Sequence, residues 1–149
     1  MSTKKIIILA VVFIIVICGS IGFYMFNKTF KNIANANPDI IVSDDQIFSE
    51  FEKNETTATK KFVTGDPIIE VSGVIAEITQ NADTTTTIVF QNPAKYTGDI
   101  SCTIVKTDVE KTKKLKQREK VTIKGQCSGM QELIDKEVIL IRCIICDNK

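Results

Sequence analysis

The stretch Ile68-Ile-Glu-Val-Ser-Gly-Val-Ile-Ala-Glu-Ile-Thr79 decides the fold. In its first half Ile69 and Val71 point to one face. In its second half Val74, Ala76 and Ile78 point to the other, so the alternation slips by one residue at Ser72-Gly73. A strand that changes phase at a glycine bends through a bulge and can serve two sheets. Such curvature in a first strand is what a small closed barrel requires.

Four more strands follow. Thr84-Thr-Thr-Thr-Ile-Val-Phe90 is rich in β-branched residues. Gln91 to Asp99, with Pro93 and Gly98, reads as a loop, and Ile100, Cys102 and Ile104 alternate in a third strand. Asp108 to Gln117 is charged, with Val109 and Leu115 as its apolar anchors, and reads as a short helix or loop. Val121-Thr-Ile-Lys-Gly125 is a fourth strand, Ser128-Gly129 a turn, and Val138 to Ile145 a fifth strand. The fifth is apolar on both faces and belongs in the middle of the sheet. Three strands, a short helix and two strands is the order of the OB-fold. The fold class expected is therefore all-β with helical additions: a five-stranded OB-fold barrel preceded by an amphipathic helix and an N-terminal transmembrane helix.

Upstream, Ser43-Asp-Asp-Gln46 is a capping box, with Ser43 as N-cap and Asp44 and Asp45 at the positive end of the dipole. Ile47, Phe48, Phe51, Ala58 and Phe62 form the apolar stripe of the helix, and Gly65 and Pro67 stop it. Residues 6–26 carry no charge. As a helix they measure about 31 Å, against a hydrocarbon thickness of ~30 Å. The apolar run continues past Cys18-Gly19-Ser20, which argues for an uncleaved anchor, and Ile17 before Cys18 does not make a lipoprotein signal. The chain thus divides into a short cytoplasmic tail (1–5), a transmembrane helix (6–26), a juxtamembrane linker (27–42) and an OB-fold domain with its N-terminal helix (43–149). A short N-terminal tail favours the cytoplasm, which places the domain on the outer, extracytoplasmic side.

Composition removes whole classes of chemistry. Among 149 residues there is no His and no Trp. Imidazole-dependent triads are excluded within the chain, and the commonest metal ligand and best base-stacking side chain are missing. The net charge of +1 sets up no global field. No paired carboxylates, phosphate-cradling glycine loop or internal repeat stands out, so no catalytic residue and no cofactor is assigned.

The chain also resembles a family, the tRNA-anticodon-like OB-fold proteins: small bacterial proteins, typically membrane-anchored or lipoproteins. The residues that carry this are Ala58-x-x-x-Phe62, Ile69-Glu-Val-Ser-Gly-Val-Ile75, Cys102, Val121-Thr-Ile-Lys-Gly-Gln-Cys-Ser-Gly129 and Val138-Ile-Leu-Ile-Arg-Cys143. The resemblance implies a fold and no reaction.

Two constellations remain. Cys102, Cys127, Cys143 and Cys146 could form disulfides of unknown pairing in an oxidising compartment, or serve as small buried hydrophobes in a reducing one. A zinc site usually needs a second C-x-x-C knuckle besides Cys143-Ile-Ile-Cys146, and a thioredoxin-like motif would open a helix. The second constellation is a basic patch of Lys111, Lys113, Lys114, Lys116, Arg118 and Lys120, with Lys106 and Lys124 nearby. Beside an OB sheet it could track phosphates or meet anionic lipid, with Phe90 and Tyr96 the available stacking residues. The expectation is a membrane-anchored, non-enzymatic binding module of the cell envelope. Its partner is a protein, peptide or glycan bound at the barrel face. The alternative is a cytoplasm-facing module for single-stranded nucleic acid, and a third reading is a cysteine-based redox or zinc protein.

Overall fold

A computed structural model describes residues 3–26, 32–91 and 98–146. The chain forms two compact units, residues 1–31 and 32–149. In the first, α1 (Thr3–Phe26) is one helix whose side chains from Val12 to Tyr24 are exposed. Side chains 1–11 and 25–31 lie outside the description, and with them the tail and the start of the linker. Among the described residues no helix is long and apolar enough to cross a membrane.

The second unit opens with β1 (Ile40–Ser43), followed directly by α2 (Asp44–Lys53) and α3 (Glu55–Phe62). The barrel strands are β2 (Ile69–Gln80), β3 (Thr86–Phe90) and β4 (Gly98–Ile104). After a 3-10 turn at Lys106–Asp108 and the one-turn α4 (Val109–Thr112) come β5 (Lys120–Glu132) and β6 (Lys136–Ile145). The sheet order is β1-β2-β3-β4-β6-β5, and β5 also pairs with β2. That pairing, Ile69 opposite Gly125 through Val74 opposite Lys120, closes β2 to β6 into the expected five-stranded barrel. The parallel β4–β6 contact and central place of β6 follow the OB order.

The local reasons are partly those expected. Ser43 Oγ accepts the Gln46 amide at 3.2 Å and caps α2. The helical stripe, however, is broken in two. Asn54 leaves helical geometry (φ −162°) and its Oδ1 accepts the Thr57 amide, so one side chain starts a new helix mid-stripe. The two helices then pack Phe51 on Phe62, ring centroids 5.8 Å apart, and an ion pair joins Lys61 to Glu50 at 2.7 Å. Ile47, Phe48, Phe51, Ala58 and Phe62 are buried in one core with the barrel residues Ile69, Val71, Ile75, Ile88, Ile104, Ile123 and Leu140. Every residue of that core lies between Val42 and Ile145, so the second unit carries its own complete core.

Three further expectations are corrected. Residues 40–42, placed in the linker, form β1, which runs parallel to β2. Asp39 holds it there by accepting the Ile68 amide at 2.8 Å. Gly73 marks no change of phase: Ile69, Val71, Gly73 and Ile75 are all buried, and the register shift comes between Ile75 and Glu77. The glycine is needed for close approach instead, because a Cβ there would meet Asp44 Oδ2 at 2.6 Å and the Phe90 ring at 2.9 Å. Gly129, read as a turn, is a bulge inside β5 at φ +120°, and the chain reverses later, at Leu133–Asp135.

Candidate functional site

The basic segment lies between β4 and β5, where the chain leaves the barrel and returns. The 3-10 turn and α4 carry it out, and a turn closed by Glu119 brings it back: the Glu119 carboxylate accepts the Lys116 amide at 3.0 Å. Two hydrogen bonds then fix the segment to β2, the Arg118 amide to Ile75 O at 2.8 Å and the Ile75 amide to Glu119 O at 2.9 Å. Arg118 reaches that position only by adopting φ +66°, a left-handed conformation costly for a non-glycine residue.

The structure sorts the six predicted cations into two groups. Lys111 pairs with Asp108 at 3.6 Å and donates to Ile145 O, and Lys113 pairs with Glu110 at 2.7 Å. Lys114, Lys116, Arg118 and Lys120 are exposed, and their side-chain cations have no acidic partner among the described residues. The outlying Lys124 is drawn away and donates to Ala36 O at 2.8 Å. Of the four, Arg118 lines a shallow cleft of about 250 Å³, together with Ile75, Ala76, Gln91 and Gln117. Gln91 and Gln117 give it neutral donors and acceptors next to the charge. Phe90, expected as a stacking residue, is 1% exposed and packs beneath Gly73, so it offers no face to a ligand; Tyr96 lies outside the described residues.

The cysteines do not assemble a reactive centre. Cys102, Cys127 and Cys143 are buried thiols within the barrel. Register sets Cys102 and Cys127 each opposite Leu140, and Cys143 opposite Ile104, so no two are direct cross-strand partners. Burial pushes the Cys127 thiol up to about 11. The Cys143 thiol is raised well above its usual range by burial, then by its hydrogen bond with Cys102. Both shifts keep the inert thiol form, the opposite of what a nucleophile or thiolate ligand requires. Among the described residues no group of three or more His, Cys, Asp or Glu could hold a metal ion.

Sequence reading missed one surface altogether. Leu133 and Ile134, at the β5–β6 reversal, are 84% and 95% exposed. The signal was there in two adjacent aliphatics between Glu132 and Asp135, but placing the turn at Gly129 hid it.

A closed five-stranded barrel with α4 between its third and fourth strands, and an exposed cationic turn beside it, defines an OB-fold binding module. The tRNA_anti-like family model matches residues 1–145, and the chain belongs to that family. No curated protein matches it. Among solved structures, it is similar to a protein of Klebsiella pneumoniae titled a "putative nucleic acid-binding lipoprotein". The match has a TM-score of 0.56 at 15% identity and covers 72% of this chain and 92% of that one. At that identity the likeness speaks for the fold.

Proposed function

We propose that this chain is a membrane-tethered, non-enzymatic binding module of the cell envelope that holds a linear polyanion, a polymer with a phosphodiester backbone, at its basic turn. The observation that carries this is the set of four exposed cations, Lys114, Lys116, Arg118 and Lys120, without acidic partners among the described residues, with Arg118 lining an open cleft. Three of them stand on a turn bonded to the barrel at Ile75 and the fourth, Lys120, opens β5, so the fold holds their charges in one stretch of surface. Tethering is supported by the charge-free run of residues 6–26 and by the lipoprotein title of the structural neighbour. The buried thiols and the lack of imidazole support a role without catalysis.

A second reading, a cytoplasm-facing module for single-stranded nucleic acid, uses the same turn and the same phosphodiester chemistry. The neighbour's title favours it, and the burial of Phe90 weighs against it because base stacking then lacks a platform. Protease digestion of intact spheroplasts separates the two. Cleavage of the 32–149 domain in intact spheroplasts places the polyanion in the envelope. Protection until the membrane is permeabilised rejects the envelope reading in favour of the cytoplasmic one.

A further inference from the structure

The far end of β5 has a different chemistry. The hairpin reverses through Leu133-Ile-Asp135, and its two aliphatic side chains are the most exposed large hydrophobics of the described chain. Beneath them the register runs Asp99 opposite Glu137 on the parallel β4–β6 pair, and Glu137 opposite Gln131 on β5–β6. Two carboxylates directly opposite on neighbouring strands work against the sheet. Gln131 Nε2 donates to Glu137 at 2.9 Å, which orients that carboxylate without neutralising it. Among the described residues the one cation lining the cleft here, Lys136, is paired with Glu52 on α2 at 2.6 Å. Among the described residues Asp99, Asp135 and Glu137 therefore have no cationic partner, and with Gln131, Leu133, Ile134 and Lys136 they line an open cleft of about 230 Å³. The Asp99 carboxyl is raised from its ordinary value, by burial first and by the charges of Asp135 and Glu137 second. Among the described residues the cleft has an excess of negative charge that an incoming cation would relieve.

We propose that this end of the barrel docks a basic protein segment with an apolar face, Leu133 and Ile134 entering that face while Asp99, Asp135 and Glu137 receive its cations. Complementarity selects the occupant. An exposed aliphatic pair alone would suit a bilayer, but carboxylates around it repel an anionic membrane surface, which attracts basic segments and not acidic ones. A cationic amphipathic helix or strand matches both the charge and the apolar pair. This inference does not rest on the polyanion reading, because it uses other residues at the other end of β5.

The test uses the domain 32–149, which carries its complete core. Its probe is a fluorescent helical peptide of about 18 residues made of Leu and Lys in amphipathic spacing, long enough to fold on contact. Two controls are the same peptide with Glu for Lys, and a Gly-Ser-Lys peptide of equal charge. The Leu-Lys peptide should bind, and the controls should not. The double variants Leu133→Ser with Ile134→Ser, and Asp99→Asn with Glu137→Gln, each weaken it about tenfold or more. All four substitutions fall on exposed or half-buried side chains, so both variants should stay folded, which circular dichroism checks. Unchanged affinity in either variant, or equal binding of a control peptide, overturns the proposal. So does capture of the domain by phosphatidylglycerol vesicles that requires Leu133 and Ile134, or self-association abolished by the tip variant; those outcomes give the surface to a membrane or to a second copy.

Discussion

How many cations the basic turn offers to a polyanion can be counted in solution. Each phosphate contact releases condensed counterion, so log K falls with log salt at about −0.7 per contact for a single strand. The sequence presents six cations, Lys111 to Lys120, while the structure leaves four, since Lys111 and Lys113 are engaged by Asp108 and Glu110. Four contacts predict a slope of about −2.8, and about a 50-fold loss of affinity between 50 and 200 mM salt. Six predict about −4.2 and a loss of about 300-fold. The assay is fluorescence anisotropy of a dT oligonucleotide of about 20 nucleotides, long enough to cover one OB-fold site. Lys116→Gln with Arg118→Gln should bring the slope to about −1.4, while Lys111→Gln with Lys113→Gln should leave it unchanged. A slope near −4.2, or one that falls when Lys111 and Lys113 are removed, would show that the two ion pairs do not withhold their cations. No binding at low salt would remove the polyanion altogether.

Three further outcomes follow from the packing. The raised Asp99 carboxyl costs the fold stability once both states are ionised, so its penalty is absent below the ordinary carboxylate value and grows as pH rises through it towards the raised one. Asp99→Asn should therefore be more stable than wild type to urea at neutral pH, with the advantage gone near pH 3; a destabilised variant at pH 7 would contradict the assignment. Cys102, Cys127 and Cys143 should resist a thiol reagent at pH 8 until urea unfolds the domain, and rapid native-state labelling of Cys127 would contradict its elevated pKa. A Cβ on Gly125 would stand 2.5 Å from Cys143 Sγ and 3.1 Å from Ile141 O, so Gly125→Ala should cost about 1–3 kcal/mol by overpacking. A cost below about 0.5 kcal/mol, as for a surface change, would refute that contact.

The barrel was legible because its signals are local. β-branched runs, the two-sided apolarity of Val138–Ile145 and the capping box at Ser43 each specify an element from within a few residues. What was missed depended on distant partners. β1 is a strand because Ile40–Ser43 finds β2 as a parallel neighbour, 29 residues on, and nothing in Ile-Ile-Val-Ser says so. Gly73 and Gly129 are alike as letters, yet one answers a side chain from α2 and the ring of Phe90, the other a bulge against β6. The break at Asn54 was legible, since Asn three residues before Thr57 is a cap signal, but the apolar stripe running through it outweighed the cue. For the basic turn, the sequence listed the cations and could not say which were paired; that depends on side-chain partners in the folded loop.

The net charge of +1 conceals how the charge is arranged. Lys120, the last cation of the basic turn, begins β5, and Glu132, beside the acidic tip, ends it. At ~3.4 Å per residue the strand separates them by up to about 40 Å, shortened by its two bulges, against a screening length of ~8 Å at physiological salt. The two ends should thus act independently, and each set of substitutions serves as the other's control. Asp99→Asn with Glu137→Gln removes two negative charges, and if the whole-molecule field governed polyanion binding it would strengthen oligonucleotide affinity. If the local turn governs, affinity and salt slope at 150 mM should match wild type, while Lys116→Gln with Arg118→Gln leaves the basic peptide's affinity for the tip untouched. Substantial cross-effects in either direction would mean that the barrel presents one continuous field and not two separate surfaces.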